Sequence, residues 1–281
     1  MARDQFDPVA ATRQDSDPVE ARPSATVVLV RKGEPEPQIL MVRRKAGDAF
    51  GESYTFPGGV LDRDESAARA FCRGMTAQDA DAELGLAGGG LDFYSAAARE
   101  LFEETGVLLA QDPQGDWAFA ANPDDEPLLH ELRTQLDRGD IGWAELLRTH
   151  DLYIACDALH YFAFWETPLR LLKRWAARFF LAEMPPGQEA QHDGSELTDS
   201  TWMTAAQVLA TANDGDMKLP FPTRTTLKSL SEIATVEKLL RWANARAEKG
   251  IQKIRPVILE VNGNKRFVIP GDPDYPKDGD Q

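Results

Sequence analysis

Two short runs of β-forming residues open the chain's patterned region. "ATVVLV" (Ala25 to Val30) and "QILMVRR" (Gln38 to Arg44) flank the turn-rich "RKGEPEP", so the pattern predicts a hairpin. "YTFPGGVLD" predicts a short strand ending at Pro57-Gly58-Gly59, where glycines permit positive φ or close approach of another backbone. From Glu65 the stretch "ESAARAFCRG" is helix-like, and "GLAGGG" predicts a flexible exit by Gly90. A helix is predicted from about Phe93 to Thr105, with Asp92 as N-cap and Gly106 as its stop. "VLLA" resumes as strand, and residues 126–149 read as two short helices. "YIACDALHYFAFWETP" and "RFFLAEMP" supply two longer aromatic strands whose rings are assigned to the sheet core. "DSTWMTAAQVLAT" and "TRTTLKSLSEIATVEKLLRWANARAEKG" read as helices, the second beginning near Arg224. "PVILEVNGNKRFVIP" predicts a hairpin turning at Asn262-Gly263, and no internal repeat is present.

The predicted helix around "ARELFEETGV" carries unusual charge. At 100° per residue, Glu100, Glu103 and Glu104 share an arc of about 100°, while Ala98, Leu101, Phe102 and Thr105 occupy the opposite side. One face packs and the other gathers acid. A solvated acidic face is the plainer account. Yet like charges three and four positions apart cost a few tenths of a kcal/mol per pair, about 0.2–0.5, and no lysine lies on the arc to relieve them. Converging carboxylates suit Mg²⁺ or Mn²⁺, which take hard oxygen donors and share their shell with substrate phosphates.

Composition narrows the partners. The 281 residues are 42% hydrophobic and 27% charged, ordinary globular values that fit one elaborated α/β domain. No apolar run approaches the roughly 18 residues that span a bilayer. A net charge of −15 disfavours nucleic acid and anionic membranes as partners, so a phosphorylated small molecule would need a local cation. Arg43 and Arg44, at a strand end near the PGG loop, could supply one, although solvated strand-end charges account for them equally well. Cys72 and Cys156 form no CxxC pair, which fits a reducing compartment. "MARDQFDPVAATRQDSDPVEARPS" lacks an apolar signal core and reads as a loose leader, so a cytoplasmic location is expected.

"GGVLDRDE", with Glu65 six positions after Gly59, and "RELFEETGV" resemble the two halves of the Nudix box. The usual box places seven residues between its first glutamate and its arginine. Here Ser66 to Ala98, 33 residues, separate Glu65 from Arg99. Arg73 stands at the usual distance but continues as "RGMTAQ", without a carboxylate, so it is a decoy. A split box of this kind resembles a Nudix subgroup that cleaves coenzyme A and its acyl derivatives. "LMVRRK", "TFPGG", "RFFLAEMP", "FPTRTTLKSL" and "VIPGDPDYP" agree with the broader group. The resemblance implies a leader at 1–23, one elaborated Nudix domain over 24–276 with insertions at 66–92 and 126–149, and a tail at 277–281.

The same resemblance implies an α/β/α sandwich with a mixed central sheet and extra helical insertions. It implies an enzyme that uses Mg²⁺ or Mn²⁺ to hydrolyse the diphosphate of a nucleoside diphosphate derivative, a small-molecule substrate such as CoA or acyl-CoA, ADP-ribose or NADH. Carried over residue by residue, Glu100, Glu103 and Glu104 would hold the ions, Glu104 would also position the attacking water, and Arg99 would orient a glutamate through its planar fork. Gly58 and Gly59 would shape the loop against that helix, Arg44 would meet a phosphate, and Glu65 matches the first-half glutamate. The general base varies in the family; Glu196, in "HDGSELTD", and Glu183 are the candidates. His160 and His192 pair with no nucleophile and are left out. Two alternatives stand beside this reading. One is a noncatalytic nucleotide sensor, although "RELFEE" is intact; the other is an isomerase of the isopentenyl diphosphate type, which would need a reactive cysteine, whereas Cys72 and Cys156 lie in apolar contexts. Family members are commonly dimers, so the resemblance extends to a homodimer as partner.

Overall fold

Alternate side chains of the first strand enter two different cores, and this divides the molecule into layers. In the computed structural model, which describes residues 19–47, 51–119, 125–261 and 264–276, β1 (Arg22–Arg31) turns Ala25, Val27 and Leu29 to one side and Val28 and Val30 to the other. A strand covered on both faces reads as a continuous apolar run, as "ATVVLV" does. β2 (Gln38–Arg44) completes the predicted hairpin, with Val30 opposite Ile39. Arg22 and Pro23 already belong to β1, so the leader expected through residue 23 ends earlier; residues 1–18 and 277–281 lie outside the described residues.

The glycine segment departs from expectation. It forms two pieces, β3 (Tyr54–Thr55) and β4 (Gly58–Val60), and the glycines lie inside β4, with Thr26 opposite Gly58 and Ala25 opposite Gly59. Gly58 has φ +149°, and a Cβ there would sit 2.3 Å from the Ala25 carbonyl oxygen. Only glycine lets the two backbones approach this closely.

The segment after Glu65 is more structured than its sequence suggested. α1 (Glu65–Ala68) is a single turn, followed by a tight turn over Arg69–Phe71, and the predicted helix stops there because β5 (Cys72–Arg73) pairs with residues 154 and 155. α2 (Ala77–Leu84) was not predicted; its signals are the Thr76 hydroxyl, which accepts the Asp79 amide, and the left-handed Gly85. α3 (Gly90–Thr105) begins earlier than Phe93, with Gly89 as N-cap, and Gly106 ends it in the left-handed conformation as predicted. Asp92 does not cap it but pairs with Arg69. Gly90 is glycine because a Cβ would lie 2.5 Å from the Ala80 carbonyl carbon of α2.

β6 (Ala110–Gln111) retains only the end of the "VLLA" strand. α4 (Asp125–Asp137) and α5 (Trp143–Thr149) are the two helices expected over 126–149, and β7 (Tyr153–Ala155), β8 (His160–Glu166) and β9 (Trp175–Glu183) carry the aromatic runs. β10 (Leu197–Thr204) corrects the reading of "DSTWMT" as helix: it pairs along β2, and Thr204 then opens α6 (Ala205–Asp214) with a capping box to Gln207. The long helix expected near Arg224 is two, α7 (Phe221–Leu230) and α8 (Val236–Glu248). After β11 (Lys253–Ile254), β12 (Val257–Val261) and β13 (Asn264–Val268) pair antiparallel; Asn262 and Gly263 lie outside the described residues.

The main sheet runs β10-β2-β1-β9-β8-β11, with β3 on β2 and β4 on β1. β1 with β9 and β8 with β11 are parallel and the other pairs antiparallel, so the sheet is mixed. Residues of α3, α4 and α5 share the core of Val27, Phe180 and Phe102, and α6, α7 and α8 share that of Val28, Phe179 and Leu181. Among the described residues no helix is long and apolar enough to cross a membrane. Gly90→Val should drive α2 off α3 and cost about 1–3 kcal/mol in a denaturant titration, with no loss of helical signal.

Candidate active site

α3 packs Ala97, Ala98, Leu101 and Phe102 into the core, which turns its glutamates toward β4 and the loop between β9 and β10. Arg99 lies at the centre. It is 8% exposed, and its guanidinium donates to Glu65 Oε1 (Nε, 2.8 Å), to Glu103 Oε2 (Nη1, 2.6 Å) and to the Val60 carbonyl (Nη2, 3.0 Å), with Glu100 Oε1 2.9 Å from Nη2. The two sequence halves of the box therefore meet through one side chain. Glu65, 1% exposed, also accepts a hydrogen bond from Ser95 Oγ, which in turn receives the Trp143 indole N–H at 3.0 Å. Sequence reading missed Ser95 and Trp143. Ser95 stands one helical turn before Arg99, and Trp143 comes from α5.

Glu104 occupies a separate pocket. Its Oε2 accepts the Gly58 amide at 2.8 Å, and its Oε1 lies 3.2 Å from Arg44 Nη2, which also donates to the Gly58 carbonyl at 2.6 Å. Arg44 thus braces Glu104 and the glycine strand. Arg43 instead reaches Glu52 at 4.0 Å on the surface. A Cβ on Gly59 would fall 2.4 Å from Glu100 Oε2, so the bare backbone is the cradle in which that carboxylate lies.

Burial dominates the protonation of these acids. Desolvation pushes Glu104 up to about 8, against the pull of Arg44 and with the repulsion of Glu100 added. Desolvation likewise lifts Glu103 to about 7, Arg99 opposing and Glu100 adding. Glu65 and Glu100 are raised for the same first reason despite Arg99. Glu196 is exposed in the β9–β10 loop, its carbonyl receiving the Lys45 amide, and its charge acts on both Glu100 and Glu104. Glu183 ends β9 opposite Val30. His160 bonds Asn244 at 2.7 Å through Nδ1. Cys156 is fully buried, and the neighbouring Cys72 thiol together with burial pushes its pKa upward, the opposite of an activated nucleophile.

Among the described residues no three carboxylate, thiol or imidazole groups converge at metal-binding spacing. Arg99 is the cause, since it draws Glu100 and Glu103 to itself. The donor chemistry nevertheless fits a hard divalent cation: oxygen ligands, two of them costly to ionise without a positive neighbour, beside a backbone cleared of side chain at Gly59.

No family model matches the chain. Acyl-coenzyme A diphosphatase NUDT19 of Xenopus laevis is 22% identical over 275 residues, spanning 86% of this chain and 72% of that protein. Its human namesake is 26% identical over 194 residues, 67% of this chain and 52% of its own length. A NUDIX hydrolase from Alicyclobacillus acidocaldarius, solved by crystallography, superposes with a TM-score of 0.66 at 25% identity, covering 79% of this chain and 96% of that one.

Two measurements follow from this geometry. Arg99→Met leaves Glu65 buried without its cation and should cost about 3–5 kcal/mol in denaturant unfolding. Glu104 binds its proton more tightly folded, at about 8, than its ordinary 4.5. Its contribution is therefore complete below pH 4.5 and is lost as pH rises toward 8. With a chelator present, Glu104→Gln should gain stability relative to wild type across that window, read from unfolding midpoints; a constant difference would contradict the burial argument.

Proposed function

We propose that the chain is a Nudix pyrophosphohydrolase that hydrolyses the diphosphate of a CoA-type nucleoside derivative, CoA or an acyl-CoA, with Mg²⁺ or Mn²⁺ held by Glu100, Glu103 and Glu104. The observation that carries the reading is the contact of Glu65 with Arg99 across the long insertion, which rejoins a split box. The names of the two curated relatives support the substrate class, and the two unlinked thiols, Cys72 and Cys156, agree with a reducing cytoplasm.

A diphosphate repels an incoming nucleophile, so the site must first neutralise charge. A divalent cation, when bound, supplies that charge, polarises a phosphoryl oxygen and acidifies a water. The protein's own groups do the rest. Glu100 and Glu103, now paired with Arg99, would hold the cation, and Glu65 and the Val60 carbonyl anchor Arg99 independently of them. Glu65, too buried to meet substrate, acts by holding Arg99 in place. Glu104, oriented by the Gly58 amide and Arg44, would position the attacking water. Glu196, exposed at the rim and within electrostatic reach of Glu100 and Glu104, is the second candidate to accept the proton. Gly58 and Gly59 bring the backbone against these carboxylates without a side chain between.

A mass-resolved panel of CoA, acyl-CoAs, ADP-ribose, NADH and diadenosine polyphosphates with each metal tests this. Release of 3′,5′-ADP and a phosphopantetheine from CoA is expected, with Glu104→Gln slower by about a hundredfold or more. Turnover of ADP-ribose or NADH alone would move the substrate class, and no turnover of any nucleotide would leave a binding protein.

A further inference from the structure

We infer that Arg133 of α4 is a positioning residue that fixes the carboxylate-bearing last turn of α3 against the loop carrying Glu196. This rests on the reading of Glu100, Glu103 and Glu104 as cation ligands. Arg133 is 7% exposed and comes from a segment outside the box. Its Nε donates to the Glu103 carbonyl at 2.8 Å and its Nη1 to the Gln191 carbonyl at 2.8 Å. The Gln191 amide closes the triangle by donating to the Thr105 carbonyl at 2.8 Å.

The carbonyls of Glu103 and Thr105 belong to the final turn of a helix, where no intrahelical donor remains. An unfastened last turn frays, and here that turn bears two of the three carboxylates. A cation at the negative end of the helix dipole steadies it further. Because one planar fork reaches carbonyls on two different elements, it sets their spacing, which a single ammonium on a flexible stem cannot do. Nη2 of the same guanidinium is buried without a hydrogen-bond partner, and Asp137, Asp193 and Glu104 act on its charge. Arg133 thereby faces the acids of the site while hydrogen-bonding to the backbone of Glu103 and, among the described residues, to no carboxylate.

Direct binding of Mn²⁺, followed by the electron paramagnetic resonance of the free ion, reads this without turnover. Arg133→Met should weaken binding by about tenfold or more, the range seen when residues that orient metal ligands are removed. Arg133→Lys, which keeps the charge and stem, should fall between the variant and wild type; it carries the test where Arg133→Met does not fold. Amide exchange should quicken at Gly106 and Gln191 in the same variants, and kcat at saturating Mn²⁺ should recover most of its value. Unchanged Mn²⁺ affinity in a folded variant overturns the proposal and leaves the metal reading intact. Failure of the wild type itself to bind Mn²⁺ overturns both.

Discussion

One guanidinium organises the site. Arg99 meets carboxylates from α1 and from two positions of its own helix, and it also fastens the end of β4 through the Val60 carbonyl. Burial alone would weaken its hold on its proton, but Glu100, Glu65 and Glu103 more than reverse that, so the charge is permanent. A lysine could satisfy one of these partners well; only a planar fork reaches all four from one buried position. The helix, the glycine strand and the segment that opens at Glu65 therefore share a single fixed point.

Much of this was legible because side-chain chemistry spells it out. The glutamate arc, Gly106 as helix stop, the β1–β2 hairpin and the two halves of the box all rest on residues that act close to their own position in the chain. The misreadings have a common cause in tertiary pairing. "DSTWMT" runs without a break into the apolar face of α6, and only its register along β2 makes it a strand. "ESAARAFCRG" stops being helix where Cys72 finds Ile154. α2 carries its caps at Thr76 and Gly85, but its eight residues are too few for periodicity to speak. Arg133 was invisible for a different reason: it answers backbone carbonyls, and sequence does not say which carbonyls a fold leaves over.

The segments 66–92 and 126–149 pack directly against the carboxylate helix and its partners. α2 presses so closely on α3 that only Gly90 fits between them, α5 supplies the Trp143 indole behind Glu65, and α4 reaches the far end of α3. The two ends of the carboxylate helix are thus each held by a neighbouring helix, α2 at Gly90 and α4 at Glu103. Arg44 and Arg99 are already engaged by the protein's own acids, Glu104 and Glu103 among them.

The separation of Glu65 from Arg99 also has an entropic side. Closing a loop costs free energy that grows only with the logarithm of its length, so extending the intervening chain from seven residues to the 33 between them here adds about 1.4 kcal/mol. Leu84 alone, 5% exposed on the inserted helix, offsets about that much by leaving water. A motif whose parts are joined by a buried ion pair can accordingly be opened by a self-packing insert at little net expense, with local sequence continuity surrendered and the geometry kept.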